Sequence, residues 1–261
     1  KAGEYIFDKS LNYFQLVEIL SGNVKYSQKK ITIPEGVDQF QLASLLKNEL
    51  GIDSTEFIGL SKSKSFIFSL GLEVENLEGY LLPETYFFTS SMNSQNILKK
   101  LSKEMKKFLE DKKERMKQLK INEHQLLTLA SIIDAESNNF DEFAKISAVY
   151  HNRLRIGMPL QADPTISFLI RERKNKTIYK KDLSIESKYN TYKYVGLPPS
   201  PINNPGKQAI LAALYPEKNN YLYFMIFFNF SLFRPMPAQG LNPANARATS
   251  GPQALLCPRP S

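Results

Sequence analysis

A carboxylic acid on the apolar face of a helix is costly to ionise, and this chain offers one at Glu136, in the run LLTLASIIDAES (126–137). In helical register Leu126, Leu129, Ala130, Ile133, Glu136 and Ser137 share one face. Desolvation there raises a glutamate pKa above its ordinary value of about 4.3, which is what a general acid near neutral pH requires. Cleavage of a glycosidic bond needs such a proton, and most glycosidases add a second carboxylate as nucleophile or base. Asp134 is a poor second, because it lies about 200° round the same helix. Asp163, in QADPT, is the other candidate. On spacing alone Glu136 is equally a paired structural carboxylate.

The elements around Glu136 follow from local signals. Asn122 reads as an N-cap, Gln125 as its partner at N3, and Ile121 with Leu126 as a hydrophobic staple. His124 then sits as an exposed first-turn residue. A second helix is predicted over Asp141–Arg155, with Phe143, Ile146, Val149 and Tyr150 as its stripe; Gly157 and Pro159 end it. It carries Asn152 and Arg153. Leu160–Arg171 is short and mixed, and holds Gln161, Asp163 and Thr165. The turn-like Tyr189-Asn190-Thr191-Tyr192 follows. The stretch from Gly196 to Ile202 (GLPPSPI) is too rich in proline for a regular helix or central strand. Pro205 suits the N1 position of a helix through Leu214.

Upstream, Glu4–Phe7 is β-like, Asn12–Leu20 is helical, and Lys30–Ile33 is strand-like up to the turn Pro34-Glu35-Gly36. Phe40–Leu50 reads as a helix with Gly51 just past its end. This β-α-β-α order predicts a small α/β module over 1–76. The aromatic stretch LEGYLLPETYFF (77–88) ends it. Leu98 to Lys120 then reads as one long amphipathic helix, with ten Lys/Arg and four Asp/Glu between Lys99 and Lys120. The second unit spans 77–224.

Composition bounds the function. The chain is 42% hydrophobic and 23% charged with net charge +8, a globular balance with a basic surface. The basic helix lacks the interleaving of a nucleic-acid motif, so no nucleic-acid partner is expected. The single cysteine, Cys257, and two histidines without ligand spacing leave no basis for a disulfide framework, a metal site or another cofactor. No apolar run reaches the roughly 18–20 residues of a membrane span. Residues 225–261 contain no Asp, Glu or Lys yet hold 6 of the 15 prolines. That break marks them as an atypical tail, disordered or out of frame, with little order expected beyond a short strand continuing Tyr221–Phe224.

Taken in order, LEGYLLPETY, LTLASIIDAES, VYHNRLRIGMPLQADPT and SKYNTYKYVGLPPSPINNPG resemble the endolytic murein transglycosylases, and ITIPEG is similar to that family's N-terminal part. The resemblance covers nearly all of residues 1–224. It implies an α+β protein: a lysin-motif-like module ahead of a mixed α+β catalytic domain, tethered by an N-terminal helix to the outer side of the cytoplasmic (inner) membrane, in the periplasm where there is one. It implies peptidoglycan glycan strands as substrate and cell-wall synthases as candidate partners. The family's catalytic glutamate falls on Glu136. One carboxyl then serves twice, protonating the leaving oxygen and next deprotonating the muramyl C6 hydroxyl, which closes a 1,6-anhydro ring. No second carboxylate is needed. Where the family continues after YLYF with a glycine-histidine segment, this chain reads MIFFNFSLF. A non-catalytic wall-binding or scaffold protein is therefore the alternative.

Several side chains are candidates for substrate contact. Gln161, Asp163 and Thr165 match a family segment beside the active site, as sugar contacts or as loop caps. Asn190 could bind a sugar acetamido or hydroxyl group, with Tyr189 and Tyr192 stacking on sugar faces. Asn152 and Arg153 share a helix; Arg153 could meet a muramyl carboxyl or pair with a buried acid. The stretch LPPSPINNPG (197–206) is expected to shape the cleft wall rather than touch substrate, and Glu78, Glu84 and Tyr86 to act as scaffold.

Overall fold

A computed structural model describes residues 12–15, 17, 28–89, 92–173, 175, 177–224 and 236–237. The expected strand at Glu4–Phe7 and most of the helix at Asn12–Leu20 lie outside them. The described chain is α+β: nine helices between Gln39 and Leu214 and a small antiparallel sheet, with a two-residue pairing near the end.

Strand β1 (Gln28–Thr32) pairs antiparallel with β2 (Thr85–Thr89), Ile31 opposite Tyr86 and Thr32 opposite Thr85. The expected boundary at 76/77 thus falls between two strands of one sheet. Alternation sets the faces: Tyr86 and Phe88 are buried, whereas Phe87 between them is exposed. The turn at Glu35-Gly36 leads into α1 (Gln39–Leu50). Asp38 caps it in a capping box with Gln41, and Gly51 closes it at φ +72°, as the left-handed C-cap predicted. Two short helices follow, α2 (Ser54–Ser61) and α3 (Lys64–Ser69).

The long basic helix is in fact two. Helix α4 (Ser94–Leu109) passes through a 3₁₀ turn at Glu110–Lys112 into α5 (Lys113–Leu119). Its apolar residues keep helical spacing, Leu98, Leu101 and Met105 being buried. The break at Glu110-Asp111 left no mark in that spacing, because both residues are compatible with helix.

Helix α6 (Glu123–Glu136) has the predicted Asn122–Gln125 capping box. Leu126, Leu127, Leu129, Ile132 and Ile133 are essentially inaccessible, each worth roughly 1.5–3 kcal/mol over exposure. Against it pack α7 (Phe140–Arg155), α8 (Asp163–Leu169) and α9 (Lys207–Leu214), and α7 also packs on β3 (Tyr221–Tyr223). The predicted α7 stripe, Phe143, Ile146, Val149 and Tyr150, is buried throughout. Helix α9 starts at Lys207 with Gly206 as its N-cap, so Pro205 precedes the cap and does not occupy N1. Strand β3 meets a two-residue strand, β4 (Met236–Pro237).

A proline-rich loop, 196–206, ties these parts together. Asn204 is fully buried: its Oδ1 accepts from Gly79 (2.9 Å) and Leu81 (3.1 Å) backbone N–H groups, and its Nδ2 donates to the Val37 carbonyl (3.1 Å) and Glu78 Oε1 (3.0 Å). Glu78 also accepts from the Gln39 N–H, so its scaffold role holds. Gly79 has φ +84°, and a Cβ there would stand 2.4 Å from the Pro201 ring; only glycine lets the two segments meet. His124 differs from expectation. It is half-buried, bonded to the Tyr80 hydroxyl (2.9 Å) and the Pro199 carbonyl (2.7 Å), and clamps this loop to α6.

Candidate active site

Glu136 is the last residue of α6; Ser137 is already extended, at φ −142° and ψ 151°. The exit is a sharp one. The Ser137 hydroxyl donates to Glu142 Oε2 (2.6 Å), and Asn139 caps α7. Two consequences follow for the carboxyl. The negative end of the helix dipole disfavours its ionisation. It also lies where two helices part, at the wall of a cleft of about 500 Å³ lined by Gly36, Glu136, Asp163, Phe168, Arg171 and Asn203, among others.

Glu136 is half-buried, and its Oε2 is shielded without a hydrogen-bond partner of good geometry among the described residues. Burial and, next, the charge of Asp163 push its pKa up to about 8. Tyr150 and Arg153, both on α7, pull the other way. The Tyr150 hydroxyl is itself shielded and without such a partner, yet it lies near enough to favour the ionised carboxylate. Arg153 is anchored by two carbonyls, Leu222 (2.7 Å from Nε) and Leu160 (2.5 Å from Nη1), with its guanidinium 5.1 Å from the Tyr223 ring centre. Its charge therefore sits in a fixed place beside the acid. The result is a carboxyl that is protonated at neutral pH and can lose its proton at modest cost. That suits proton donation followed by proton recovery.

Asp134, two residues earlier, is not among the residues lining the cleft and lies against the Gly36 turn instead. Its Oδ1 accepts weakly from the Gly206 N–H (3.4 Å), and burial, with Glu35 adding to it, raises its pKa to about 7.

The structure sorts the other candidates. Asp163 opens α8 and is exposed in the cleft, accepting from the Tyr192 hydroxyl at 2.5 Å. Gln161 is held at φ +48° and half-exposed, its N–H donating to the Thr191 carbonyl. Thr165 is buried, bonded to the Ala162 carbonyl and the Thr191 hydroxyl, as a loop cap would be. Asn190 is fully buried: its Nδ2 donates to the Leu183 and Ile185 carbonyls and its Oδ1 accepts from the Tyr192 N–H. It shapes the turn that carries Tyr192, with every polar atom of its side chain engaged. Tyr189 is packed against Phe168, ring centres 4.9 Å apart, and its hydroxyl meets Ser200. Asn152 is buried and ties α7 to the Asn219 and Tyr221 carbonyls. Thus Glu136, Asp163, Tyr192 and Arg153 come together, while Asn152, Thr165 and Asn190 brace the surroundings.

Tyr150 and Asn203 were missed as site residues. Tyr150 stands three before Arg153 on one helix face, a spacing that could have linked them. Asn203 gave no signal beyond its loop.

The chain matches the model of the YceG-like family over residues 1–231, past the compositional break at 224. It belongs to the YceG-like family. A Bacillus subtilis relative named endolytic murein transglycosylase is 35% identical over 86% of this chain and 66% of its own length. A Streptococcus pneumoniae relative of the same name is 28% identical over 86% of this chain and 46% of its own. The chain thus spans about two thirds of the first and under half of the second. The crystal structure of a yceG-like protein from Listeria monocytogenes superposes with a TM-score of 0.73 at 31% identity, over 88% of this chain and 80% of that one.

Proposed function

We propose that this chain is the extracytoplasmic, catalytic part of a lytic transglycosylase that cuts peptidoglycan glycan strands internally, between N-acetylmuramic acid and N-acetylglucosamine. The observation that carries the reading is a single carboxyl, Glu136, held protonated near neutral pH at the wall of a cleft large enough for sugar rings. The names of the relatives support the substrate class.

In the reaction Glu136 donates its proton to the bridging oxygen as the muramyl C1–O bond breaks. Positive charge develops at C1 and the ring oxygen. The Glu136 carboxylate then takes the proton of the C6 hydroxyl, O6 bonds to C1, and the 1,6-anhydro ring closes with no water consumed. Arg153 and Tyr150 stabilise the carboxylate between the two transfers. Asp163, braced by Tyr192, faces the developing positive charge. Gln161 and Tyr192, beside Asp163, are the remaining candidates for sugar contact.

Asp163 also favours a second reading, a hydrolase in which it activates water. Products separate the two. Purified glycan strands incubated with the chain should give anhydro-muramyl ends by chromatography and mass spectrometry, and Glu136→Gln should give none. Reducing muramyl ends would establish the hydrolase, and no cleavage by the intact chain a wall-binding protein. The lysin-motif-like character of residues 1–76, an N-terminal membrane tether and an association with cell-wall synthases belong to the same proposal.

A further inference from the structure

The cleft beside Glu136 holds a cation that the proton transfers do not use. Arg171 stands just past the end of α8, half-buried, and is the one basic residue among the described residues that line the cleft. Its guanidinium carbon lies 4.9 Å from the centre of the Phe40 ring, on α1, and 4.5 Å from that of Phe168, on α8. Phe168 is in turn backed by Tyr189. Ring contacts engage the faces of a guanidinium, whereas its N–H donors lie in its plane. The two rings therefore fix the charge without drawing on its donors. Two residues on, Arg173 donates to both carboxylate oxygens of Asp182, at 2.9 and 2.7 Å, and anchors the turn that carries Arg171.

The remaining charges at the cleft are acidic. Asp38 accepts from the Phe40 and Gln41 N–H groups as the cap of α1, and Asp163 accepts from the Tyr192 hydroxyl. Alone, these two would repel a strand that carries carboxylates, and Arg171 offsets them. Asp163 and Arg171 are eight positions apart along α8 and the turn after it. At the helical rise that is roughly 12 Å, comparable to one disaccharide repeat of a β-1,4 glycan in which muramyl residues alternate. Resting on the transglycosylase reading, we propose that Arg171 binds a carboxylate hung from O3 of a muramyl residue one repeat away from the bond that is cleaved. The lactyl acid supplies that carboxylate on a bare strand, and the acidic residue of an attached peptide supplies it on a substituted one. Two N–H groups of the guanidinium match the two oxygens of either. Arg171 is then a specificity-determining residue that selects a charged muramyl strand over a neutral one.

The test uses the full chain with Glu136→Gln to prevent turnover, and three tetrasaccharides of alternating N-acetylglucosamine and N-acetylmuramic acid. They differ at the lactyl group alone: free acid, primary amide, and a conjugate with L-alanyl-D-glutamate. Affinities are read by NMR titration. Adding Arg171→Met keeps an unbranched chain against the rings and removes the charge. It should weaken a carboxylate-bearing ligand about tenfold, the scale of a charge-assisted bond, and the amide by less than about threefold. A loss on the free acid assigns the lactyl carboxylate, a loss on the conjugate alone assigns the peptide, and a loss on both assigns either. If the amide loses as much as both acids, or no ligand loses affinity, the proposal is overturned. Arg171→Gln is read in the same way. Should neither variant fold, the Glu136→Gln chain itself decides: it binds an acid form more tightly than the amide, by a margin that shrinks with added salt. Equal affinity for all three ligands overturns the proposal. Failure of the transglycosylase reading is seen separately, as undiminished glycan cleavage by Glu136→Gln.

Discussion

Two carboxyls leave α6 two residues apart and meet different surroundings. Asp134 looks toward the Gly36 turn and Gly206, where a backbone N–H caps it and Glu35 lies close. A Cβ on Gly36 would come within 2.7 Å of its Oδ2, so the turn is built around it. Glu136 looks into the cleft, with one oxygen shielded and without a well-placed partner among the described residues, an anion at Asp163 and a fixed cation at Arg153. Burial raises the pKa of both, to about 7 and about 8. A raised pKa thus does not mark a catalyst. What separates the two is access: one carboxyl closes a packing contact, and the other faces space that a substrate can enter.

The sharpest way to break this comparison is Glu136→Gln. Cleavage of glycan strands should fall by roughly 10²–10⁴ with no loss of thermal stability, since the fold already prefers the neutral side chain; activity within about tenfold of the intact chain would refute the assignment. Next comes the support. Asn190→Ala should destabilise the protein by about 2–4 kcal/mol in denaturant melts, because two carbonyls and an N–H lose buried partners. Glycan affinity measured well below the melt should be unchanged, and weakened binding with an unmoved melt would restore Asn190 as a sugar contact.

Tyr150→Phe removes one polar group beside Glu136. The hydroxyl lowers the pKa of the acid, so its loss should move the alkaline limb of the rate profile, set by Glu136 near pH 8, to higher pH. The rate at the optimum should change less than about tenfold. A limb that moves to lower pH would contradict the geometry.

The smallest effect on rate belongs to Asp134→Asn, within about twofold at neutral pH. Its signature is in stability. A folded-state pKa raised from 3.8 to about 7 means that the protonated form is the one the fold prefers. That stability is fully present below pH 4 and is lost as pH rises through 7. Asparagine mimics the neutral form. The variant should melt higher than the intact chain at pH 8, by roughly 2–4 °C for a gain of about 1 kcal/mol, and no higher at pH 4. A higher melt at pH 4 alone would reverse the sign and the account.

How much of this could be read beforehand follows from the range of each signal. The Asn122–Gln125 box, the register of α6 and the different surroundings of Asp134 and Glu136 are set within a few residues, and all were legible. The α+β class and the core stripes were legible for the same reason. Asn190 was not, since an asparagine that braces a turn and one that meets a ligand have the same neighbours in sequence. His124 seemed a free first-turn residue because its partners, Tyr80 and Pro199, lie 44 and 75 positions away. The nearness of Tyr150 to Glu136 exists only once α6 and α7 are packed.

The central claim is that one carboxyl does both proton transfers and that no water enters. Cleavage of purified glycan strands in oxygen-18 water tests it most directly, with products weighed by mass spectrometry. The account predicts muramyl ends that are anhydro and carry no label. New muramyl ends bearing one oxygen-18 would show that water attacks C1, and the single-carboxyl mechanism assigned to Glu136 would be wrong.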